Sequence, residues 1–213
     1  MRASALAVMV LVTVALGIAA AESPRDRALA DLRRTDPTAR RAAVQTLAEA
    51  GEMADLAALA ALLRDPDPAV RVATQEAMWQ VWSRSGDKAI DQLFATGVDQ
   101  LRQRDLDGAV GTFSQVIKRK PDFAEGWNKR ATLYFMLGEY TKSLADCDEV
   151  IRRNPYHWGA LSGYGMIYLQ LDQPARALEY FEKALAVNPN LSRLEDTVEE
   201  LRTLVIQRRK DSI

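Results

Sequence analysis

The sequence of 213 residues predicts an all-α fold, a solenoid in which helical hairpins stack on one another. Three observations predict it. Pro121, Pro155 and Pro189 are evenly spaced, and a fixed period of about 34 residues is typical of helical-hairpin repeats. An Asp-Pro motif nearer the N-terminus occurs at Asp36 and again at Asp67. An apolar stripe at helical spacing follows the last proline and predicts a terminal helix.

Residues 1–21 have the pattern of a secretory signal peptide. Arg2 supplies a positive start, residues 3–19 carry no charge, and three alanines ending at Ala21 offer a cleavage site before Glu22. An uncleaved membrane anchor is the alternative, because the apolar run is almost long enough to span ~30 Å of hydrocarbon. We therefore expect an exported, periplasmic protein that is cleaved after Ala21. The signal and the Ala/Arg-rich composition suggest a bacterial source.

Residues 22–86 contain a repeat of their own. The stretch DPTARRA begins at Asp36, and the matching stretch DPAVRVA begins at Asp67. In each copy the aspartate is suited to capping a helix and the proline to its first turn. An apolar helix is expected between the copies, at residues 56–63. The segment is similar to short HEAT-type repeats, some of which occur in relatives of phycobilin lyases. An irregular helical cap is the alternative.

Three consecutive units, at 90–123, 124–157 and 158–191, make up most of residues 87–191. Their matching positions are Leu93, Gly97, Ala109, Phe113 and Pro121, then Trp127, Ala131, Ser143, Cys147 and Pro155, then Leu161, Gly165, Ala177, Phe181 and Pro189. The pattern resembles the tetratricopeptide repeat, W-x2-L-G-x2-Y, then A-x3-F, then P. The resemblance implies a right-handed solenoid, with HEAT-like pairs followed by three tetratricopeptide units.

Small side chains in these units predict close contact between the two helices of each hairpin. Gly97, Ala131 and Gly165 lie where the first helix touches the second, and large residues such as Phe113 fill the remaining space. Cys147 replaces the large aromatic residue in the second unit, so we expect looser packing there. As the only cysteine, it has no partner for an internal disulfide. A buried small apolar residue is the expectation, and a redox role is the alternative.

Residues 192–213 are expected to form a terminal capping helix and tail. Ser192 and Glu195 have the spacing of a capping box. The apolar stripe then consists of Leu191, Leu194, Val198, Leu201 and Val205. A solenoid needs a terminal helix with one solvated face, and this segment suits that need. A coiled-coil dimer helix is the competing interpretation.

The composition argues against an enzyme and against a nucleic-acid-binding protein. The chain has 28 Lys and Arg against 29 Asp and Glu, so no overall charge attracts nucleic acid or anionic lipid, and removal of Arg2 with the signal would not change this. His157 is the only histidine, which excludes a metal site built from several histidines. Acidic residues such as Asp146 are interpreted as solvated helix faces. We expect no catalysis, no metal and no cofactor.

In the tetratricopeptide family the first helices of successive units line a concave groove that holds a peptide. Carried onto this sequence, the groove is predicted to contain Phe94, Val98, Asn128, Lys129, Thr132, Phe135, Ser162, Met166, Leu169 and Gln170. Leu101 and Glu125 are expected to face it as well. Tyr156 and His157 are expected at its rim. Contact with the neighbouring helix is the alternative for Phe94, Leu101 and Phe135.

The groove is expected to prefer an apolar or amphipathic peptide. Family members that grip acidic C-termini use several cationic side chains, but the corresponding positions here include Phe94, Val98, Gly159 and Gly163, with Lys129 as one cation. The leading hypothesis is therefore a non-catalytic adaptor that binds a peptide segment of a periplasmic or envelope protein. The alternatives are a structural subunit that oligomerises in an envelope complex and a lyase-like enzyme. Membrane contact is expected only if the N-terminal segment is uncleaved.

Overall fold

The computed structural model describes residues 22–211, and all regular structure within them is helical. The predictions on the signal segment lie outside the described residues. The eleven α-helices of the described chain are α1 (Pro24–Asp31), α2 (Pro37–Ala50), α3 (Leu56–Leu62), α4 (Pro68–Trp82), α5 (Lys88–Arg102), α6 (Leu106–Arg119), α7 (Ala124–Met136), α8 (Tyr140–Arg153), α9 (Trp158–Gln170), α10 (Pro174–Val187) and α11 (Ser192–Asp211). Within residues 22–211, no helix combines the length and apolar character that crossing a membrane requires.

Helices α2 and α4 begin at the two Asp-Pro motifs, as predicted. The carboxylate of Asp36 accepts hydrogen bonds from the backbone amides of residues 38 and 39, and Pro37 starts the helix. Asp67 accepts in the same way from residues 69 and 70, at 2.8 and 3.1 Å. Each aspartate satisfies amides that have no partner inside the helix, so both helix starts are set by local sequence.

An arginine in each Asp-Pro motif makes the same contact with the preceding turn. Nη1 of Arg40 donates to the carbonyl oxygens of Arg34 and Thr35, both at 2.8 Å, in the turn that follows α1. Nη1 of Arg71 donates to the carbonyl oxygens at the two matching positions of the second copy, at 2.8 and 3.3 Å. The sequence repeat is therefore also a repeat of equivalent hydrogen bonds.

Each of these arginines also bonds a residue of a later turn, and that turn differs between the two copies. Nε and Nη2 of Arg40 donate to the buried carboxylate of Asp65, both at 2.7 Å, and this bidentate pair holds the pKa of Asp65 below its usual value. Nε of Arg71 donates instead to Asn190, at 2.9 Å, in the turn that follows α10. Arg40 thus bonds the turn before the second copy of the motif, whereas Arg71 bonds the turn after α10. The last hairpin therefore packs where a third copy would be expected.

Helices α5 to α10 form three successive hairpins, and α11 packs on the last of them. Each hairpin brings a small residue of its first helix against the second helix. A Cβ atom on Gly97 would lie 2.8 Å from the ring of Phe113, and one on Gly165 would overlap the ring of Phe181. The prediction of close contact at these glycines is confirmed, because any larger side chain would displace a ring.

One hydrophobic core joins the N-terminal helices to the last hairpin. It contains Leu47, Leu59 and Trp82 from the N-terminal part, together with Trp158 of α9 and Ala184 of α10. The chain therefore folds back, so that α4 lies against a hairpin far along the sequence as well as against α2. This arrangement places α4 beside the start of α9.

Helix α11 covers the end of the stack with one face. Val198 and Leu201 are buried against the preceding hairpin, as the apolar stripe indicates, whereas Leu204 and Ile206 are 40% and 57% exposed. The capping-box prediction was wrong by one position: Ser192 is already helical, and the backbone amide of Glu195 donates to the carbonyl of Leu191. Ser192 therefore lies one residue too late to precede the helix.

Candidate functional site

The ten residues predicted to line a groove lie on the first helices of the hairpins, α5, α7 and α9, and we call this surface the groove face. Thr132, Met166 and Gln170 are exposed, and the other seven are half-buried. None of the ten is fully buried. Their role in holding a peptide stays a prediction.

The part of the groove face on α5 is filled by the protein itself. The ring of Phe94 lies 5.4 Å from that of Phe113 and 5.3 Å from that of Phe123, centroid to centroid, and both pairs meet edge to face. Val98 and Leu101 pack against the same core. The structure thus favours contact with neighbouring helices for Phe94 and Leu101, which was the alternative interpretation of these residues.

An open pocket lies further along, between α7 and α9, with α8 as its floor. Its volume is about 140 Å³. All of its lining residues are uncharged: Asn128, Ala131, Thr132, Phe135, Ser143, Cys147, Gly159, Ala160, Gly163, Met166 and Ile167. Four residues predicted for the groove and the short side chain of Cys147 meet here. The looser packing expected at Cys147 is therefore confirmed.

The thiol of Cys147 is a wall of this pocket rather than a reactive group. Cys147 is 2% exposed, and burial, with smaller contributions from nearby aspartates, raises the pKa of its thiol to about 12. A thiol with this pKa stays protonated at neutral pH, and the protonated form is a poor nucleophile. These observations support the buried, apolar role over the redox role.

Glu125 does not face the groove, contrary to the prediction. Its side chain is 1% exposed, and its carboxylate accepts hydrogen bonds from three residues. The donors are Nε2 of His157 at 2.9 Å, the side-chain amide of Asn128 at 3.1 Å and Nζ of Lys129 at 3.0 Å. Burial by itself raises the pKa of the Glu125 carboxyl. The bonds from His157 and Lys129 outweigh burial, so that its pKa lies below the usual value.

His157 lies in the loop between α8 and α9, but it does not reach the groove rim, where it was expected. The side chain is completely buried, and Nδ1 accepts from the backbone amide of Ala160 at 3.0 Å, which caps α9. Because Nδ1 is an acceptor, the proton is on Nε2 and is donated to Glu125. The imidazole also stacks on Trp82, with ring centroids 4.5 Å apart. Helix α4 covers the histidine, which a local sequence pattern does not reveal.

These bonds change what Asn128 and Lys129 offer to a ligand. The charge of Lys129 lies beside the carboxylate of Glu125, and the amide nitrogen of Asn128 is bonded to the same carboxylate. The side-chain oxygen of Asn128 is left as a hydrogen-bond acceptor at the pocket. Near the pocket, the groove face therefore presents apolar surface and the acceptor oxygen of Asn128. The charge of Lys129 is neutralised by Glu125.

Asp146 was interpreted as part of a solvated helix face, and this was also wrong. It is 4% exposed, and Nε and Nη2 of Arg130 donate to its two oxygens, both at 2.8 Å. The guanidinium of Arg130 also lies over the ring of Trp127. The pair joins α7 to α8, so the carboxylate has a structural role inside the second hairpin.

Trp79 is a residue of this region that the sequence did not assign to the groove. It is 37% exposed and lies against Gly159, where an added Cβ would come within 3.2 Å of the indole. Gly159 lines the pocket, so Trp79 stands at its margin. The tryptophan comes from α4, and only the packing of α4 on α9 brings it here.

No group of three or more His, Cys, Asp or Glu side chains that is suited to holding a metal ion occurs among residues 22–211. What the described site offers is suited to non-covalent binding. Its elements are an apolar pocket, hydrogen-bond groups of Asn128 and Thr132, and an exposed indole edge.

Comparison with known proteins finds similarity to one repeat family within these hairpins. Models described as "Tetratricopeptide repeat" match residues 94–157 and 158–191. A TPR repeat-containing protein of Rhizobium etli is 34% identical over 126 residues, which cover 59% of this chain and 61% of that protein. The outer membrane protein assembly factor BamD of Caulobacter vibrioides is 27% identical over 124 residues, covering 56% of this chain and 37% of BamD. The chain thus spans less than two thirds of the length of these relatives.

A similar solved structure is the first TPR of Spaghetti (RPAP3) bound to the HSP90 peptide SRMEEVD. Its TM-score is 0.52 at 20% identity, and the match covers 55% of this chain and 93% of the other. At this identity the likeness shows the fold alone. The prediction of an all-α solenoid of helical hairpins is confirmed, and residues 94–191 are the part that matches the tetratricopeptide models.

Proposed function

We propose that the tetratricopeptide repeats of residues 94–191 bind a peptide segment of a partner protein, and that the chain is a non-catalytic adaptor. The observation that carries this proposal is the open, uncharged pocket between α7 and α9, on the groove face. Exposed apolar surface of this kind is commonly an interaction site. The structural neighbour that holds an HSP90 peptide supports the same use of the fold.

We expect the bound segment to be apolar or amphipathic rather than acidic. The peptide in the neighbouring structure, SRMEEVD, ends in acidic residues. Here Lys129 is paired with Glu125, and the positions one repeat further along are Gly159 and Gly163, which bring no charge. An acidic peptide would find no unbalanced cation at the pocket, whereas an apolar side chain would lose water-exposed surface there.

The proposed setting is the bacterial periplasm, with cleavage of the signal segment after Ala21. The apolar N-terminal run and its small-residue end support export. The likeness to an outer membrane assembly factor is in keeping with an envelope partner. We further propose that residues 22–86 are HEAT-like repeats, since equivalent arginine contacts occur at both Asp-Pro motifs.

The experiment is a crosslinking pull-down from envelope extract with three forms of the mature protein. The groove variant carries Thr132→Glu and Met166→Glu, two exposed positions at the pocket. The control carries Thr203→Glu and Met53→Glu, which are similarly exposed and lie on other elements. Both threonines bond a carbonyl four residues earlier, so the substitutions are matched.

The proposal requires that the wild type and the control capture the same protein, and that the groove variant loses it. Circular dichroism melts of all three forms show whether folding is retained. Equal capture by the folded groove variant would reject the groove face as the binding site.

A second candidate function is assembly into an envelope complex through α11. The exposed Leu204 and Ile206 favour it, because apolar side chains on a terminal helix are suited to contact with another chain. Light scattering of the mature protein is the test. A stable oligomer that dissociates on Leu204→Glu would support this candidate, and a monomer at all concentrations would reject it.

A further inference from the structure

The repeated architecture allows the same space to be compared at two places in one molecule. Between the first and second hairpins, that space is filled by the ring of Phe94, which meets the rings of Phe113 and Phe123 edge to face. All three belong to one core cluster. The protein thus shows which kind of side chain completes the space between two of its hairpins.

The equivalent space between the second and third hairpins lacks all three phenyl rings. The positions one repeat later hold Asn128, Cys147 and His157. Cys147 is short, and the imidazole of His157 is turned toward Glu125 and Trp82. The pocket of about 140 Å³ lies at this site, with Asn128 and Cys147 in its lining. Its presence follows from these replacements.

The α9 side of the pocket is also unusually open. The positions that correspond to Glu125 and Lys129 are Gly159 and Gly163, and both line the pocket. A Cβ atom on Gly163 would lie 3.7 Å from the sulfur of Cys147, at ordinary contact distance. Gly163 therefore leaves space for a side chain that comes from outside, whereas Gly159 allows the close approach of His157 and Trp79.

The size and chemistry of the pocket fit one aromatic ring. An engineered apolar cavity of about 150 Å³ stays dry and binds benzene. The pocket has a similar volume, and its wall includes Phe135, Met166 and Ile167. Thioether sulfurs make favourable contacts with aromatic rings, and Met166 is 44% exposed at the opening. The lining carries no charge, which argues against a charged side chain.

We propose that this pocket binds a single aromatic side chain of the partner peptide, in the place that Phe94 occupies between the first two hairpins. This inference rests on the proposed function and deepens it by naming the anchor residue of the ligand. The acceptor oxygen of Asn128 is available to the backbone N–H of the same peptide residue, because the amide nitrogen is already bonded to Glu125. An aliphatic anchor is the competing possibility that the experiment must separate.

The experiment uses the mature protein with ¹³C-labelled methionine and isoleucine methyl groups. The probes are N-acetyl-phenylalaninamide, N-acetyl-leucinamide and N-acetyl-alaninamide, all uncharged. We expect saturable shifts of the Met166 and Ile167 methyl signals with the phenylalanine probe, and binding at least about tenfold weaker with the other two. Equal or tighter binding of the leucine probe, or no saturable shift with any probe, would overturn the proposal.

Two variants place, between the second and third hairpins, the rings that lie between the first and second. Ala131→Gly with Cys147→Phe restores the glycine and ring pair seen at Gly97 and Phe113, and Asn128→Phe supplies the equivalent of Phe94. In each, an internal ring should occupy the pocket and abolish binding of the phenylalanine probe. The double variant should also keep or raise the melting temperature, since it fills a cavity. Val72→Ala, at a 53% exposed position of α4, is the control that retains binding.

The same variants separate this inference from the proposed function. Suppose that the folded double variant still captures the partner in a pull-down, whereas the Thr132→Glu and Met166→Glu variant does not. This result would reject the aromatic anchor and retain the groove face as the binding site. If both variants lose the partner, and the double variant also loses binding of the phenylalanine probe, the proposed function and the aromatic anchor are both supported.

Discussion

At the scale of single residues, the chain is held together by pairs in which one small side chain makes room for one large one. Gly165 lies against the ring of Phe181, and Gly97 against that of Phe113, so that the two helices of a hairpin approach closely. Where the pair becomes Ala131 and Cys147, a pocket remains. The same positions therefore set stability in the first and third hairpins and create a candidate binding site at the second.

Gly165→Ala should destabilise the protein, because the new methyl group would overlap the ring of Phe181. We expect a loss of about 1–3 kcal/mol in the free energy of unfolding, measured by urea denaturation. Gly111→Ala is the matched control: it is helical and has no atom within 4 Å of an added Cβ, so it should stabilise by about 0.5–1 kcal/mol. Two effects of the same sign would contradict this account of the packing.

Glu125→Gln should lower stability at neutral pH by about 2 kcal/mol, because an amide replaces a buried charge that accepts from three donors. The folded pKa of Glu125 lies below its usual value of 4.5, so its contribution is present above that pH and is lost as pH falls through the folded value.

The difference between wild type and Glu125→Gln should therefore shrink as the pH is lowered below about 4.5. Urea denaturation of both proteins between neutral and acidic pH measures it. A difference that stayed constant with pH would show that the charge of Glu125 adds nothing to stability.

At the scale of helices, the boundaries follow from local chemistry more than from packing. Asp36 and Asp67 cap α2 and α4, and a proline starts each helix. Arg40 and Arg71 bond carbonyls of the turns before these helices, which holds each turn in a fixed shape. The caps involve residues at most three positions apart, and this is why a sequence motif predicted them.

Asp67→Ala should cost about 1 kcal/mol of stability, because the amides of Ala69 and Val70 lose their acceptor. Asp67→Asn should change stability by only a few tenths of that amount, since asparagine is an equally good cap. Thermal denaturation followed by circular dichroism measures both. A larger loss for the asparagine variant than for the alanine variant would contradict the capping role.

At the scale of the whole molecule, the decisive contact is between α4 and the last hairpin. Trp82 packs against Trp158 with ring centroids 4.4 Å apart, and Arg71 and Gln75 bond the turn after α10 through Asn190 and Asn188. The N-terminal helices and the third hairpin thus share one core. We expect the two parts to unfold together.

Trp82→Ala should separate the unfolding of the two parts and cost about 3–5 kcal/mol, because a 2% exposed ring in the shared core is removed. Urea denaturation followed by fluorescence of the remaining tryptophans should then show two transitions. Trp79→Ala, on the same helix but 37% exposed, is the control and should keep one transition. A single transition of unchanged slope in Trp82→Ala would show that the core does not couple the parts.

The sequence by itself determined the hairpin repeats and the helix starts, because these depend on residues close in the chain or one period apart. The even spacing of Pro121, Pro155 and Pro189 predicts stacked hairpins, and the comparisons confirm that fold. The looser packing at Cys147 was predicted as well, since one unit is compared with two others. Both predictions come from comparing equivalent positions of the repeats, and a single sequence is enough for that comparison.

The environment of the groove residues depends on packing between distant helices. Glu125 and His157 were expected at the groove and are buried, because α4 folds back from a distant part of the chain and places Trp82 on the imidazole. Trp79 reaches the pocket margin for the same reason. Helical periodicity shows which face of a helix is apolar, but not which other helix covers it. That choice depends on the fit of surfaces that lie far apart in sequence.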